Sequence, residues 1–158
     1  MRIGIGYDIH RLAPERRLVI GGVCIPYEKG LVGHSDADVL VHAIIDALFG
    51  AAALGDIGAH FPDTDEKYKN ADSMELLKAA CAEIRSFGYE IVNIDSNIII
   101  QSPKMAPYIN IMRKNIAFAA DVDIKNVSVK AKTNEKLDSQ GMGDSASAQA
   151  VCLLEEKR

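Results

Sequence analysis

Residues 2–10, with the sequence RIGIGYDIH, decide the fold and carry the first chemical signal of the chain. Side chains two positions apart in a β-strand point to the same side. A strand over this stretch therefore places its three isoleucines and its tyrosine on one face, and Asp8 and His10 together on the other. We expect a half-buried strand that presents a carboxylate and an imidazole side by side.

His42 lies in an apolar, alanine-rich run that predicts a buried helix over residues 36–52. Ser35 is the expected N-cap of this helix, and Asp38, three residues later, completes a variant of the capping box. A helix packed on the sheet would bring His42 to the end of the first strand. Asp38 and Asp46 each lie four residues from His42, so either is expected to hold its second ring nitrogen.

Asp8, His10 and His42 are one carboxylate and two imidazoles, the ligand set of a catalytic zinc site with a coordination position left over. Spacing alone fits two other structures equally well, a polar strand face and a hydrogen-bonded core histidine. The turn at residues 33–38, with the sequence GHSDAD, favours the metal, because backbone N–H groups at a helix start bind phosphate. We therefore predict a phosphorylated substrate held by metal and backbone together.

Composition limits the remaining possibilities. A length of 158 residues predicts a single domain over residues 1–158, or one subunit of an oligomer. The net charge of −4 argues against nucleic-acid binding, and no apolar run reaches the length of a membrane span. Cys24, Cys81 and Cys152 lie in apolar stretches, so we expect buried, reduced thiols. With no targeting segment visible, the predicted location is the cytoplasm.

The remaining periodicity predicts an α+β architecture. Helices are expected over residues 71–87 and 103–120, and strands over residues 89–101, 127–132 and 145–154. A short hairpin is expected over residues 18–26. Because strands and helices mix without strict βαβ alternation, we predict a four-stranded sheet with helices packed on one face. The other face is apolar enough to meet a partner subunit.

Five segments of the chain together resemble one known family. They are GYDIH at residues 6–10, GHSDADVLVHA at 33–43, LGDIG at 54–58, FPDTD at 61–65 and KTNEKL at 132–137. The family is that of the 2-C-methyl-D-erythritol 2,4-cyclodiphosphate synthases of the non-mevalonate isoprenoid pathway. The resemblance implies conversion of 4-diphosphocytidyl-2-C-methyl-D-erythritol 2-phosphate into the cyclic diphosphate, with release of CMP. It also implies a homotrimer with active sites between subunits, located in the cytoplasm, or in the plastid of a plastid-bearing organism.

The resemblance further implies roles for individual residues. The implied zinc ligands are Asp8, His10 and His42, and the implied ligand of a magnesium or manganese ion is Glu135. The groups implied to stabilise the transition state are His34 and Thr133. The substrate contacts implied near the zinc are Asp8, Ile9, His10, His34 and Ser35. Those around the methylerythritol and the second metal are Asp56, Ile57, Gly58, Phe61, Pro62, Asp63, Thr64 and Asp65. The implied cytidine pocket is Ile100, Gln101, Ser102, Pro103, Lys104, Met105 and Ala106, faced by Lys132, Thr133, Asn134 and Glu135.

The implied reaction suits these residue types. The 2-phosphate of the substrate attacks its own β-phosphorus, so no protein nucleophile is needed, and positioning can supply much of the rate. Two positions depart from the family pattern. Many members carry an aromatic residue where Ser139 stands and an arginine where Met142 stands. Without that arginine the loop lacks a basic phosphate contact, which weakens the expectation of an anionic isoprenoid along the trimer axis.

Two other classes of function also fit the residues. A zinc hydrolase acting on phosphoesters would need a general base, for which Asp56 is the candidate. A trimeric small-ligand-binding protein without catalysis would carry the metal set only incidentally. Release of phosphate from simple esters would identify the first class, and a lack of stoichiometric zinc after dialysis would identify the second.

Overall fold

The computed structural model describes residues 1–157, which form one main sheet and a separate hairpin. The strands in chain order are β1 (Arg2–Pro14), β2 (Leu18–Ile20), β3 (Val23–Ile25), β4 (Lys29–Val32), β5 (Tyr89–Ile99), β6 (Val127–Lys132) and β7 (Ser145–Glu156). The main sheet has the order β4–β1–β7–β5–β6, and β2 pairs with β3 in the hairpin expected near residues 18–26. Within residues 1–157, β5 and β6 are the one parallel pair, and the other neighbouring strands pair antiparallel.

The sheet has five strands, so the predicted four-stranded sheet is wrong in strand number, whereas the mixed α+β class is confirmed. The additional strand is β4, which pairs with the far end of β1 at the sheet edge. It spans four residues and contains a glycine, which is too short for a period of two to stand out in the sequence.

The helices are α1 (Val39–Ala52), α2 (Ile57–His60), α3 (Ser73–Ser86), α4 (Ile109–Ala120) and α5 (Asp138–Gly141). The short helices α2 and α5 were not predicted. Helix α1 is almost wholly buried, lies against β1 and β7, and is covered in turn by α3. Within residues 1–157, no helix combines the length and the apolar character that crossing a membrane requires.

Two glycines of β1 allow α1 to lie directly on the sheet. A Cβ atom at Gly4 would lie 2.0 Å from the carbonyl oxygen of Ala47, and one at Gly6 would lie 1.9 Å from that of Ala43. Any larger residue at either position would therefore push the helix away from the strand. The opposite face of β1 carries the predicted apolar stripe, on which Ile3 is 72% and Ile5 76% exposed.

Helix α1 starts later than predicted and has a different N-cap. Ala37 has a positive φ of 57°, so the chain cannot be helical there, and Asp38 rather than Ser35 caps the helix by accepting from the N–H of Val41. The buried Asp38 carboxylate also accepts from the backbone N–H groups of Gly21 and Gly22, at 2.9 and 2.7 Å. Asp38 thereby fastens the β2–β3 hairpin to the start of α1.

Helix α4 covers the last two thirds of its predicted range, because residues 103–108 are not helical. Pro107 disfavours a helical conformation for the residue before it, so a helix cannot run smoothly from Pro103. The segment that precedes α4 is therefore available to line a cavity.

The three cysteines are free thiols with different surroundings. Cys81 and Cys152 are buried as predicted, but the prediction is wrong for Cys24, which is exposed. Cys24 is the middle residue of β3, and alternation turns its side chain away from the buried Ile25. Burial raises the pKa of Cys81 to about 12 and raises that of Cys152 as well.

A thiol-specific disulfide reagent added to the native protein near neutral pH should therefore modify Cys24 alone. The other two thiols are excluded from solvent and are poor thiolates, and the thiolate is the reactive form. All three should react after denaturation, and a Cys24→Ser variant should lose the native reaction. Equally fast reaction of a second thiol in the folded protein would contradict this assignment.

Candidate active site

Strand β1 and helix α1 bring Asp8, His10 and His42 together. The Oδ2 atom of Asp8 lies 2.9 Å from Nε2 of His10 and 3.0 Å from Nδ1 of His42, and the two ring nitrogens are 3.3 Å apart. Among residues 1–157 these three side chains are the one group of histidine, cysteine and carboxylate ligands close enough to share a metal ion.

The donor set fits a divalent metal ion. Tetrahedral zinc with bonds of about 2.0–2.2 Å separates neighbouring ligand atoms by roughly 3.4 Å, so a small outward movement of the three atoms would admit the ion. One carboxylate and two imidazoles are suitable zinc ligands and leave a coordination position for substrate.

Each imidazole is oriented by its other ring nitrogen. Nδ1 of His10 lies 2.9 Å from the carbonyl oxygen of Val32 in β4, so it carries the proton and leaves Nε2 free towards Asp8. Nε2 of His42 lies 2.9 Å from Oγ of Ser73 and 3.2 Å from Oγ of Ser35. The remaining ring nitrogens, Nε2 of His10 and Nδ1 of His42, therefore face the centre of the triad.

The predicted partners of His42 are wrong. The Asp38 carboxylate accepts from the N–H groups of the hairpin and of α1, and the Asp46 carboxylate accepts from the N–H of Ile57 at 2.7 Å. Both residues lie four positions from His42, but their carboxylates accept from backbone N–H groups instead of contacting the imidazole. The serines take the place that sequence spacing assigned to the carboxylates.

The charges of the triad favour a bound cation. Burial alone would raise the pKa of Asp8, but hydrogen bonds from His10 and His42 and their positive fields outweigh it and hold that pKa well below its usual value. Burial would lower the pKa of His10, but the Asp8 carboxylate and the Val32 carbonyl raise it above its ordinary value. Asp8 is therefore ionised at neutral pH, as a metal ligand must be, and a metal competes with a proton at His10.

A cavity of about 310 Å³ opens beside the triad. Its lining residues are His10, His34, Ser35, His42, Ile57, Gly58, Phe61, Asp63, Tyr68 and Leu76. Tyr68 and Leu76 were missed, because they follow the recognisable loop and carry no motif; the ring of Tyr68 packs edge-on against Phe61 at a centroid distance of 5.5 Å. The lining combines polar side chains such as those of His34, Ser35 and Asp63 with apolar ones from Ile57 and Leu76.

Several residues expected to contact substrate lie outside this lining. Asp56 caps α2 by accepting from the N–H of Ala59, and Asp65 caps the following 3₁₀ turn by accepting from the N–H of Lys67. The other members of this group are Asp8, Ile9, Pro62 and Thr64. The α1 N-terminus is closed by Asp38, so a phosphate in the cavity would meet His34 and Ser35 rather than the start of the helix.

A second cavity, of about 230 Å³, lies near the end of β6. Its lining residues are Ile100, Gln101, Pro103, Lys104, Met105, Ala106, Ile109, Ala131, Lys132 and Thr133. Of the residues predicted for the cytidine pocket and the segment facing it, only Ser102, Asn134 and Glu135 are absent from this lining, which adds Ile109 from α4 and Ala131 from β6. The chain turns sharply around this cavity before α4 begins.

Thr133 and Glu135 form a small exposed cluster at the rim of the second cavity. Oγ1 of Thr133 donates to Glu135 at 2.8 Å, and Asn134 donates to Asp138 at 2.8 Å. Glu135 has a positive φ of 52°. Within one chain the structure does not bring Glu135 into the Asp8–His10–His42 group.

The two cavities lie at the same end of the sheet but far apart across it. Strand pairing places Asp8, Ala148, Ile98 and Ala131 in one row. β7 and β5 separate β1 from β6, so the two strands are roughly 14 Å apart at the usual strand spacing. The cavities share no lining residue.

Comparison with known proteins shows what this arrangement is similar to. The YgbB family model matches residues 1–155. The 2-C-methyl-D-erythritol 2,4-cyclodiphosphate synthase of Clostridioides difficile (strain 630) is 60% identical over 154 residues, covering 98% of this chain and 96% of the relative.

Solved structures agree with the sequence relatives. The chain superposes on the bifunctional IspDF of Campylobacter jejuni with a TM-score of 0.94 and 44% identity, covering 98% of this chain and 42% of that one. It superposes on IspF of Plasmodium falciparum, solved as a CDP complex, with a TM-score of 0.87 and 36% identity, over 99% and 97% of the two chains. The chain therefore belongs to the YgbB family, the family of the 2-C-methyl-D-erythritol 2,4-cyclodiphosphate synthases.

Proposed function

We propose that the two cavities are the two halves of one synthase active site, completed between neighbouring subunits of a homotrimer. The chain is a lyase of isoprenoid precursor biosynthesis that converts 4-diphosphocytidyl-2-C-methyl-D-erythritol 2-phosphate into 2-C-methyl-D-erythritol 2,4-cyclodiphosphate and CMP. The observation that carries this function is the Asp8–His10–His42 triad, which opens onto a cavity of substrate size.

In this proposal zinc binds the triad, and magnesium or manganese binds Glu135. The donor types support each assignment, since imidazoles suit zinc and a carboxylate suits a hard cation. When bound, the metal ions neutralise phosphate charge and orient the reacting groups. His34 and Ser35 would hold phosphate oxygens beside the triad, and Thr133 would do so from the opposite side.

The bond changes need no protein nucleophile. An oxygen of the substrate 2-phosphate forms a new bond to the β-phosphorus, the bond from that phosphorus to the α-phosphate oxygen breaks, and CMP leaves with the electron pair. Ser35 would not act as a nucleophile, because the ring nitrogen that it contacts, Nε2 of His42, donates to Ser73 and so cannot accept the hydroxyl proton. Binding both phosphates in one geometry is the main task of the protein.

The proposed cytidine pocket is the cavity at the end of β6. The CDP complex of the Plasmodium falciparum relative supports a nucleotide pocket in this fold. Apolar walls from Ile100, Met105 and Ile109 suit the flat faces of a base. Gln101 and Lys132 add polar groups to the lining.

The positions of the half-sites support a ring of subunits. Both lie at the same end of the sheet, the triad near the β4–β1 edge and Thr133 beyond β6 at the other edge. A rotation about an axis parallel to the strands would set the β6 edge of one subunit beside the β1 edge of the next, and three such contacts would close. The exposed apolar face, including Ile3, Ile5 and Val151, would be buried in the assembly.

The alternative functions receive less support. In a phosphoester hydrolase Asp56 would act as the general base, but its carboxylate caps α2 and is absent from the lining of the metal-side cavity. A binding protein without catalysis does not fit a family whose relatives are named as synthases. The three free thiols suit the reducing cytoplasm as the proposed location. The single domain over residues 1–158 stays a prediction.

His42→Ala should remove zinc and nearly abolish CMP release while the protein remains folded. Two remaining ligands hold zinc poorly. Even the loss of a residue that only hydrogen-bonds to a metal ligand lowers the metal affinity roughly 10–100-fold. Zinc content after dialysis and the CMP-release assay measure the two effects. His60→Gln, at a histidine hydrogen-bonded to Glu83 and Leu54 outside the triad, should retain zinc. Stoichiometric zinc in His42→Ala would refute the ligand assignment.

Glu135→Gln should keep stoichiometric zinc but lose most turnover and its response to added magnesium or manganese. A neutral amide is a poor ligand for a hard cation. Titration of each metal against CMP release separates the two sites, and Glu155→Gln, an exposed residue at the end of β7, is the matched control. Normal turnover with an intact magnesium response would show that Glu135 is not that ligand.

Mixed trimers should recover activity that neither parent variant has. An inactive His42→Ala chain supplies an intact Thr133, and an inactive Thr133→Ala chain supplies an intact triad, so subunit exchange creates some complete sites. The two chains would be mixed under mild denaturation, refolded and tested for CMP release, with each variant treated alone as the control. Demonstrated hetero-trimers without any recovery would mean that each site is built within one chain.

A further inference from the structure

Ser73 connects the triad to the carboxylate of Asp36, a residue to which the sequence motifs gave no role at the metal centre. Its hydroxyl lies 2.9 Å from Nε2 of His42 and donates to Oδ1 of Asp36. Asp36 also accepts from the backbone N–H of Ser73 at 3.0 Å, through Oδ2. Ser73 is fully buried, so water does not compete for these contacts.

The proton count fixes the direction of this chain of hydrogen bonds. A serine hydroxyl has a single proton, and Ser73 donates it to Asp36, so Ser73 accepts from His42. Nε2 of His42 must then carry a ring proton, so Nδ1 is the nitrogen that remains for a metal ion. Nδ1 is the atom that lies 3.0 Å from Asp8 in the triad.

Capping does not account for the Ser73 hydroxyl. Ser73 is the first residue of α3, but Asp72 is the N-cap and accepts from the N–H of Met74 at 2.9 Å. The hydroxyl is therefore available for His42. Ser35 is the weaker partner, at 3.2 Å, because its oxygen also accepts from the N–H of Ala37.

We infer that Asp36 and Ser73 are positioning residues that set the tautomer and the ring orientation of His42, and thereby the affinity of the triad for its metal. This inference rests on the proposed metal site. A carboxylate behind a metal-bound histidine is a general means of fixing the ring and raising its basicity, and here the serine hydroxyl transmits that effect. The arrangement joins α1, the turn before it and the start of α3 into one support for the ligand.

The test uses Ser73→Ala and Asp36→Asn in the full chain, stripped of metal and titrated with zinc against a chromophoric chelator. Ser73→Ala should raise the zinc dissociation constant roughly 10–100-fold and alter the visible spectrum of the cobalt-loaded protein. At saturating zinc, kcat should fall with little change in KM. Asp36→Asn should have a smaller effect in the same direction, since an amide oxygen can still accept from the hydroxyl.

Ser96→Ala is the matched control, because Ser96 is a buried serine of β5 that donates to the carbonyl oxygen of Ser128. It should leave the zinc affinity and the cobalt spectrum unchanged. If Ser73→Ala fails to fold, the zinc affinity and the cobalt spectrum of Asp36→Asn decide the question. Wild-type affinity and spectrum in the folded variants would overturn the inference while leaving the metal site in place. A wild-type protein that binds no zinc would overturn the proposed function as well.

Discussion

The close approach of α1 to β1 is the constraint on which the rest of the structure depends. Side chains at positions 4 and 6 would collide with the carbonyl oxygens of Ala47 and Ala43, so glycine at both positions lets the helix backbone rest on the strand. This contact fixes the depth of His42 relative to Asp8, which lies two residues further along the same strand face. A metal triad requires ligand atoms within a few tenths of an ångström, and such precision needs a rigid contact between backbones.

Around this contact, each polar group in the centre has a defined partner. The Val32 carbonyl orients His10, Ser73 orients His42, and the Asp38 carboxylate fastens the hairpin to the helix start. Within residues 1–157 no buried side-chain nitrogen or oxygen lacks a hydrogen-bond partner. Because unpaired buried polar groups are costly, these pairings restrict the imidazoles to one tautomer and one orientation each.

The two cavities have different characters, which suits a substrate with two different ends. The metal-side cavity is formed by the turn before α1, α2 and the loop that follows it, whereas the other is formed by the turns before α4 and the end of β6. The two cavities share no lining residue within one chain. A shared site would couple catalysis to assembly, since burying the apolar sheet face would also bring the reacting groups together.

The sequence alone determined those features that depend on local periodicity. Alternation in residues 2–10 placed Asp8 and His10 on one face, the apolar run around His42 predicted a helix, and the motifs identified the family. The strand and helix predictions were correct because the face on which a side chain lies and the repeat of apolar residues depend only on neighbouring residues.

The tertiary structure alone decided the features that depend on contacts distant in the chain. Val32 and Ser73 lie 22 and 31 residues from the histidines that they orient, and no spacing rule links them. The strand β4 also had no clear local signal, and neither did the positive φ of Ala37, which delays the start of α1. In each case the deciding energy comes from packing and hydrogen bonding between separate segments, which a single stretch of sequence does not contain.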